Sequence, residues 1–183
     1  MIRGSGRRLL TPLRLGMAAL GVGVVALGLV LALQPSQGTV EAATPLLGRE
    51  SPPLSGPSLG GSAVSPAGLR DRWLVVSFFA SWCVDCQVEA PQLETFQAQE
   101  APGARIVMVD GFGDSASAAR SFLRRSHEDW SAIADPGGAT ALAWGVRAPP
   151  ETFVVNPHGT VVAKFVGPVE SAQLERVMLG GGS

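Results

Sequence analysis

Apolar residues form one long uninterrupted run and several short ones, and the two kinds predict different structures. The long run covers residues 15–33, about 19 positions without a charge, close to the ~20 that a bilayer-spanning helix needs. Its glycines, Gly16, Gly21, Gly23 and Gly28, are tolerated in membrane helices. Nothing polar gives the segment a second face, which argues against a helix packed on a soluble core.

The short runs begin after residue 70. Residues 74–79, Leu-Val-Val-Ser-Phe-Phe, predict a strand buried on both sides. A helix is predicted over 83–99, with Val88, Leu93 and Phe96 facing inward and Pro91 as a kink. Residues 106–109 predict a second buried strand, ended by Asp110-Gly111. A helix over 115–125 has Ser115 as its cap and Phe122 and Leu123 inward. A short helix over 139–144 closes on Gly145. Residues 152–155 and 160–166 predict a hairpin around the turn Asn156-Pro157-His158-Gly159, and the last helix covers 171–179, with Val177 and Met178 among its apolar residues. Between 50 and 69 the chain is rich in Pro, Gly and Ser, and Gly60-Gly61 suggests a small hairpin between 54–59 and 62–64. Strand–helix–strand–helix, then hairpin, then helix, predicts an α/β sheet covered on both faces.

Charge refines the picture at the N-terminus. Arg3, Arg7, Arg8 and Arg14 all precede the long apolar run, and Glu41 follows it. Positive charge stays inside, so 1–14 is expected to be a cytoplasmic basic segment and 15–33 a single-pass signal anchor in the cytoplasmic membrane. Residues 34–48 then form a linker, and 49–183 a folded domain outside the cytoplasm. The competing reading is a cleaved signal peptide ending near Ala43. Arg7-Arg8 also fits a twin-arginine signal, but four scattered arginines are ordinary flank charge. Without those four, 10 basic residues face 15 acidic ones, a balance unsuited to nucleic acid.

Cys83 and Cys86 are the chain's 2 cysteines. A bridge between them closes so short a loop that it adds little stability; chemistry is the better reason for it. Cys83 falls between a strand and a helix, where unpaired N–H groups and the helix dipole favour a thiolate. Cys86, one turn on, can reach its sulfur. Cys83 is therefore expected to attack and Cys86 to resolve the mixed disulfide. A zinc site would need four ligands, and a haem attachment site needs His where Gln87 stands. No metal or cofactor is expected, and neither His127 nor His158 is given a role.

Residues 79–91, Phe-Ala-Ser-Trp-Cys-Val-Asp-Cys-Gln-Val-Glu-Ala-Pro, resemble the active-site segment of thioredoxin-fold proteins, and Glu89 with Pro91 points to the TlpA/ResA/DsbE branch. A second segment, residues 145–155, Gly-Val-Arg-Ala-Pro-Pro-Glu-Thr-Phe-Val-Val, is similar to a stretch of the DsbE/CcmG cytochrome c biogenesis reductases. The resemblance covers about 47–178. It implies a thioredoxin-like fold with a central mixed sheet, a redox-active disulfide Cys83–Cys86, and Pro150 as a cis-proline beside it that helps hold a partner's backbone. Trp82, Asp85, Glu89, Glu151 and Thr152 join Pro150 as tuning or partner-binding positions. Asp85 departs from the family, which usually has proline directly before the second cysteine; a carboxylate there disfavours the thiolate. Glu89 reads equally as a proton carrier near Cys86 or as a glutamate that suits the helix dipole. Glu151 reads equally as a tuning acid or as plain surface. Trp82 reads as a shield over the sulfurs or as a core residue, whereas Trp73, Trp130 and Trp144 read as packing.

The expected function is extracytoplasmic thiol–disulfide exchange, as a reductant of protein disulfides in cytochrome c maturation. The substrate would be the oxidised CxxCH pair of an apocytochrome, and a membrane reductase would supply electrons. A general oxidant or isomerase is the alternative within this class. Outside it stand a peroxiredoxin, whose peroxidatic Cys normally lacks a partner three residues on, and a non-catalytic binding module, which would have no need of both cysteines.

Overall fold

The computed structural model describes residues 10–32, 40–60, 64, 71–100, 103–126 and 130–180. The chain divides into two units, Met1–Gln37 and Gly38–Ser183.

The first unit contains helix α1, Leu10–Ala32. It starts ahead of the apolar run because Pro12 falls in its first turn, where a missing N–H costs nothing. Side chains are described over 16–27, and all are exposed, Met17, Leu20 and Val22 among them. Among the described residues no helix is long and apolar enough to cross a membrane.

The second unit is a thioredoxin-like α/β fold. Its elements are β1 (Val40–Glu41), β2 (Ser58–Gly60), β3 (Trp73–Phe79), α2 (Val84–Glu100), β4 (Ala104–Asp110), α3 (Ala116–Ser126), β5 (Ser131–Ala134), α4 (Ala139–Trp144), β6 (Glu151–Val155), β7 (Val161–Val166) and α5 (Ser171–Gly180). The strands lie in the order β1-β7-β6-β3-β4-β5-β2. β3, β4 and β5 run parallel, and β6 is antiparallel to β3 and β7. The sheet is therefore mixed.

Alternation along β3 sorts the core into two layers. Val75 and Phe79 join Ile106, Met108, Leu93, Phe96, Phe122 and Leu174 on the side of α2, α3 and α5. Leu74, Val76 and Phe78 join Val107, Val109, Phe153 and Trp144 on the side of α4. Edge-to-face packing of Trp144 on Phe153, 5.0 Å between centroids, fixes α4 on its layer. The same alternation turns Ser77 toward α2, and its register partner on β6 is Thr152.

The predicted helices and the buried strands are present, and Ser115 caps α3 by accepting the Ala118 N–H at 3.2 Å. Four expectations change. Val88 lies on the outer face of α2, 58% exposed. The linker expected over 34–48 contributes β1, which pairs with the outer edge of β7. The small hairpin around Gly60 is not local: β2 pairs with β5, while residues 61–63 lie outside those described. That pairing needs Gly56, where any Cβ would collide with the Ala134 carbonyl. Finally, β5 was not predicted, because Ser131, Ala132 and Ala134 give it almost no apolar signal.

Candidate active site

The chain leaves β3 through Ala80, Ser81 and Trp82 and enters α2 just after Cys83. Cys83 N–H donates to the Ala80 carbonyl at 3.1 Å, and the Cys83 carbonyl accepts the Gln87 N–H at 3.3 Å. Cys83 thus stands at the N-cap. A disulfide joins it to Cys86. The Cys86 N–H points at the Cys83 sulfur, 3.0 Å away, so an amide left unpaired at a helix start faces the atom that would carry a thiolate's charge. Both cysteines are buried, Cys83 at 5% exposure and Cys86 at 2%. Apolar side chains close to them in sequence are exposed: Trp82 is 59% exposed, and Val84 and Val88 on α2 are exposed too. Trp82 is therefore not a core residue. The loop ahead of Cys83 is tied down by Asp114, whose Oδ2 accepts the Ser81 N–H at 2.6 Å and whose Oδ1 accepts the Ser81 hydroxyl at 2.8 Å.

Glu89 is buried one turn beyond Cys86. Its Oε2 accepts from Ser77 Oγ at 2.9 Å, and its Oε1 accepts from Thr152 Oγ1 at 2.9 Å and from Val169 N–H at 3.3 Å. Burial pushes its carboxyl up from 4.5 to about 7, against the pull of the Ser77, Thr152 and Val169 donors. Glu89 is thus held by three donors inside the fold rather than in solvent. Thr152 lies in the same cradle.

Glu151 is not surface either. Its Oε2 pairs with Lys164 Nζ at 2.6 Å, and its Oε1 accepts the Arg147 and Ala148 N–H groups at 2.9 and 3.4 Å. Lys164 also donates to the Gly145 carbonyl at 3.1 Å and lies over the Phe153 ring. The pair pins the loop from Gly145 to Glu151 on both flanks, and breaking a buried ion pair by removing one partner costs about 3–5 kcal/mol. The bond between Pro149 and Pro150 in this loop is cis, as the resemblance implies for Pro150. Asp85, exposed in the first turn of α2, shares with Pro149, Pro150, Arg147 and Leu142 the lining of a groove of about 680 Å³.

The structure thus gathers Trp82, Cys83, Asp85 and Cys86 at the start of α2, with Glu89 behind them and Pro150 across the groove. Sequence reasoning did not find Ser77, Lys164, Val169 or Asp114. A hydroxyl inside an apolar strand, as at Ser77, and a lysine amid Val, Ala and Phe in β7 were the available signals.

A thioredoxin-like fold with a CxxC disulfide at the N-terminus of its first core helix defines a thiol–disulfide oxidoreductase. The chain belongs to the Redoxin family, whose model matches residues 46–178. It is 36% identical over 129 residues to the thiol:disulfide interchange protein HelX of Rhodobacter capsulatus, covering 69% of this chain and 71% of HelX. The thiol:disulfide interchange protein DsbE of Xylella fastidiosa is 29% identical over 180 residues, 96% of this chain and 88% of that protein. Among solved structures, MTB dsbF in its mixed oxidized and reduced forms matches with a TM-score of 0.61 at 29% identity, covering 69% of this chain and 93% of that one.

Proposed function

We propose that the protein is a reductase of protein disulfides outside the cytoplasm and that its substrate is the oxidised CxxCH pair of an apocytochrome c during cytochrome c maturation. The observation that carries this reading is Glu89, a buried carboxyl titrating near neutrality one turn behind the resolving cysteine. In the reduced protein, the Cys83 thiolate attacks one sulfur of the substrate disulfide, and the other sulfur leaves as a thiolate. Cys86 then attacks the Cys83 sulfur, closing the Cys83–Cys86 disulfide and releasing the second substrate thiolate. Two electrons pass to the substrate, and both substrate thiolates take up protons. Cys86 is buried, so its proton needs a nearby acceptor, and Glu89 serves as that acceptor. Pro150, just ahead of β6, faces Asp85 across the groove, Thr152 on β6 holds Glu89, and the groove between Asp85 and Pro150 takes the partner's backbone. A membrane reductase returns the disulfide to the dithiol.

Asp85 supports the reducing direction. A carboxylate beside the sulfurs removes thiolate stabilisation from the reduced form, and about 30 mV of potential corresponds to ~1.4 kcal/mol in this two-electron couple. Equilibration with glutathione should give a potential well below the roughly −120 mV of DsbA-type oxidants, and the reduced protein should reduce a CxxCH peptide disulfide. A potential in the oxidising range would favour the general oxidant or isomerase instead. No reduction of any protein disulfide would leave a binding module.

Residues 15–33 serve in this reading as a single-pass anchor, with the catalytic domain outside the cytoplasmic membrane. The apolar run and its one-sided arginines support it. The full chain should then resist carbonate extraction from membranes and be digested by protease added from outside the cytoplasm. Recovery of a soluble form beginning after Ala43 would overturn the anchor in favour of a cleaved signal.

A further inference from the structure

A pair of acids at the end of β4 is tied to the active-site loop through Ser81. Asp110 ends β4 in register with Phe79. Asp114 follows after a tight reversal, in which Phe112 and Gly113 take φ of 62° and 76° and the Asp114 N–H donates to the Gly111 carbonyl at 3.3 Å. This reversal brings both carboxyls to the lining of one cavity, close enough for Asp114 to raise the proton affinity of Asp110. They differ sharply in surroundings. Asp114 is half-buried and accepts three donors, Ser81 N–H and Oγ and the Ser115 N–H at 2.8 Å. Asp110 is 4% exposed, and its Oδ1 is buried without a partner. Burial beside Asp114 favours the acid at Asp110.

The charged groups around the pair do not change this assignment. Asp110, Asp114 and Arg120 are the charged residues lining the adjoining cavity of about 300 Å³, and Arg120 is exposed on α3. From the end of β5, the Asp135 N–H donates to the Asp110 carbonyl at 2.6 Å. The Asp135 carboxylate is turned to α4, accepting the Thr140 and Ala141 N–H groups. β2 contributes Ser58 and Leu59, neither charged. Burial first, and the Asp114 charge second, push the Asp110 carboxyl up from 3.8 to about 7.

We propose that Asp110 and Asp114 share one proton and that the protonated pair is a latch on Ser81 which positions the Trp82–Cys83 loop for exchange. This rests on the reading of Cys83 and Cys86 as the reacting dithiol. When the proton leaves, two adjacent carboxylates repel one another in a poorly solvated place. Asp110 is fixed by β4, so Asp114 is the one that gives way, and its withdrawal loosens both hydrogen bonds to Ser81. The added negative charge also disfavours the thiolate two residues further on. Both effects lower Cys83 reactivity as pH rises past neutrality. Asp110 and Asp114 are positioning residues, acting on the sulfur through Ser81.

Amide spectra of the full oxidised chain between pH 5 and 9 test this directly. The Ser81 N–H resonance should move with an inflection near pH 7. In Asp110→Asn, which still offers a donor to Asp114 but does not titrate, the inflection should be lost and the resonance should stay at its acid-side position. Asp114→Asn, at a half-exposed loop site, should also abolish it, and this variant decides the matter if Asp110→Asn folds poorly. A Ser81 inflection that survives both substitutions, or that disappears only in Glu89→Gln, overturns the latch. The rate of peptide-disulfide reduction provides the functional readout: the wild type should flatten above pH 7, whereas Asp110→Asn should keep rising with the thiolate fraction. If no variant and no wild type reduces the peptide, the proposed function fails, and the Ser81 titration still decides the latch.

Discussion

Glu89→Gln is expected to make the oxidised protein more stable at pH 8 and much slower in exchange. The stability effect follows from the carboxyl's raised affinity for its proton. In the folded chain Glu89 titrates near 7 rather than 4.5, so between those values the folded state holds a proton that the unfolded state has released. Glu89's contribution to stability is complete below pH 4.5 and is lost as pH rises through 7. At about 1.4 kcal/mol per unit, the loss across this window is on the order of 3 kcal/mol. Gln keeps the shape. Its carbonyl can accept from Thr152 and Val169, and its amide can donate to a rotated Ser77 hydroxyl. Urea unfolding of wild type and variant at pH 5 and pH 8 should show the wild type losing stability and the variant losing about 3 kcal/mol less. Asp110 contributes a decline of the same sign, so the variant should not be flat. Equal declines in the two proteins would mean that water reaches Glu89. In exchange, loss of a proton acceptor costs roughly 100-fold or more, and the loss should fall on resolution by Cys86 rather than on the first attack.

The two cysteines should fail in different ways when replaced. Cys83→Ser removes the only sulfur that combines the cap position with the amide of residue 86, and both turnover and covalent capture of partners should vanish. Cys86→Ser retains that amide, because the donor is backbone. Cys83 should therefore still attack, with nothing to resolve the product, and mixed disulfides should accumulate on non-reducing gels. Capture that needs Cys86 and survives Cys83→Ser would reverse the assignment. The captured partners would also show whether CxxCH proteins are among the substrates.

What could be read in the sequence was what neighbouring residues decide together. Cys83 at a strand-to-helix junction, Ser115 as a cap and Gly145 as a helix stop are settled within a few positions, and each is in its expected place. The apolar runs of β3 and β4 are long enough to identify themselves. The parts missed depend on distant segments. Glu89 keeps two equal readings in the sequence, because its partners Ser77, Thr152 and Val169 arrive from 12, 63 and 80 residues away. Glu151 and Lys164 find one another only across the β6–β7 hairpin. β1, β2 and β5 are too short to show a period, and they exist because the sheet edge offers them partners. Val88 misled because an apolar residue on a helix normally marks the buried face; here it faces solvent.

The cradle of Glu89 has a consequence for the birth of the protein. The two thiols are neighbours in the chain, so a half-folded polypeptide already carries a reactive pair. The cradle of Glu89, the proton acceptor proposed above, does not yet exist at that stage. It is assembled from β3, α2, β6 and the segment just before α5, and the last donor, the amide of residue 169, arrives near the end of the chain. Until then Glu89 is a solvated acid with an ordinary proton affinity, and any disulfide made at Cys83 has no efficient route to release. On the role proposed for Glu89, a nascent or misfolded copy would bind partners covalently and hold them, and docking Val169 onto Glu89 changes the molecule from a snare into a carrier of electrons.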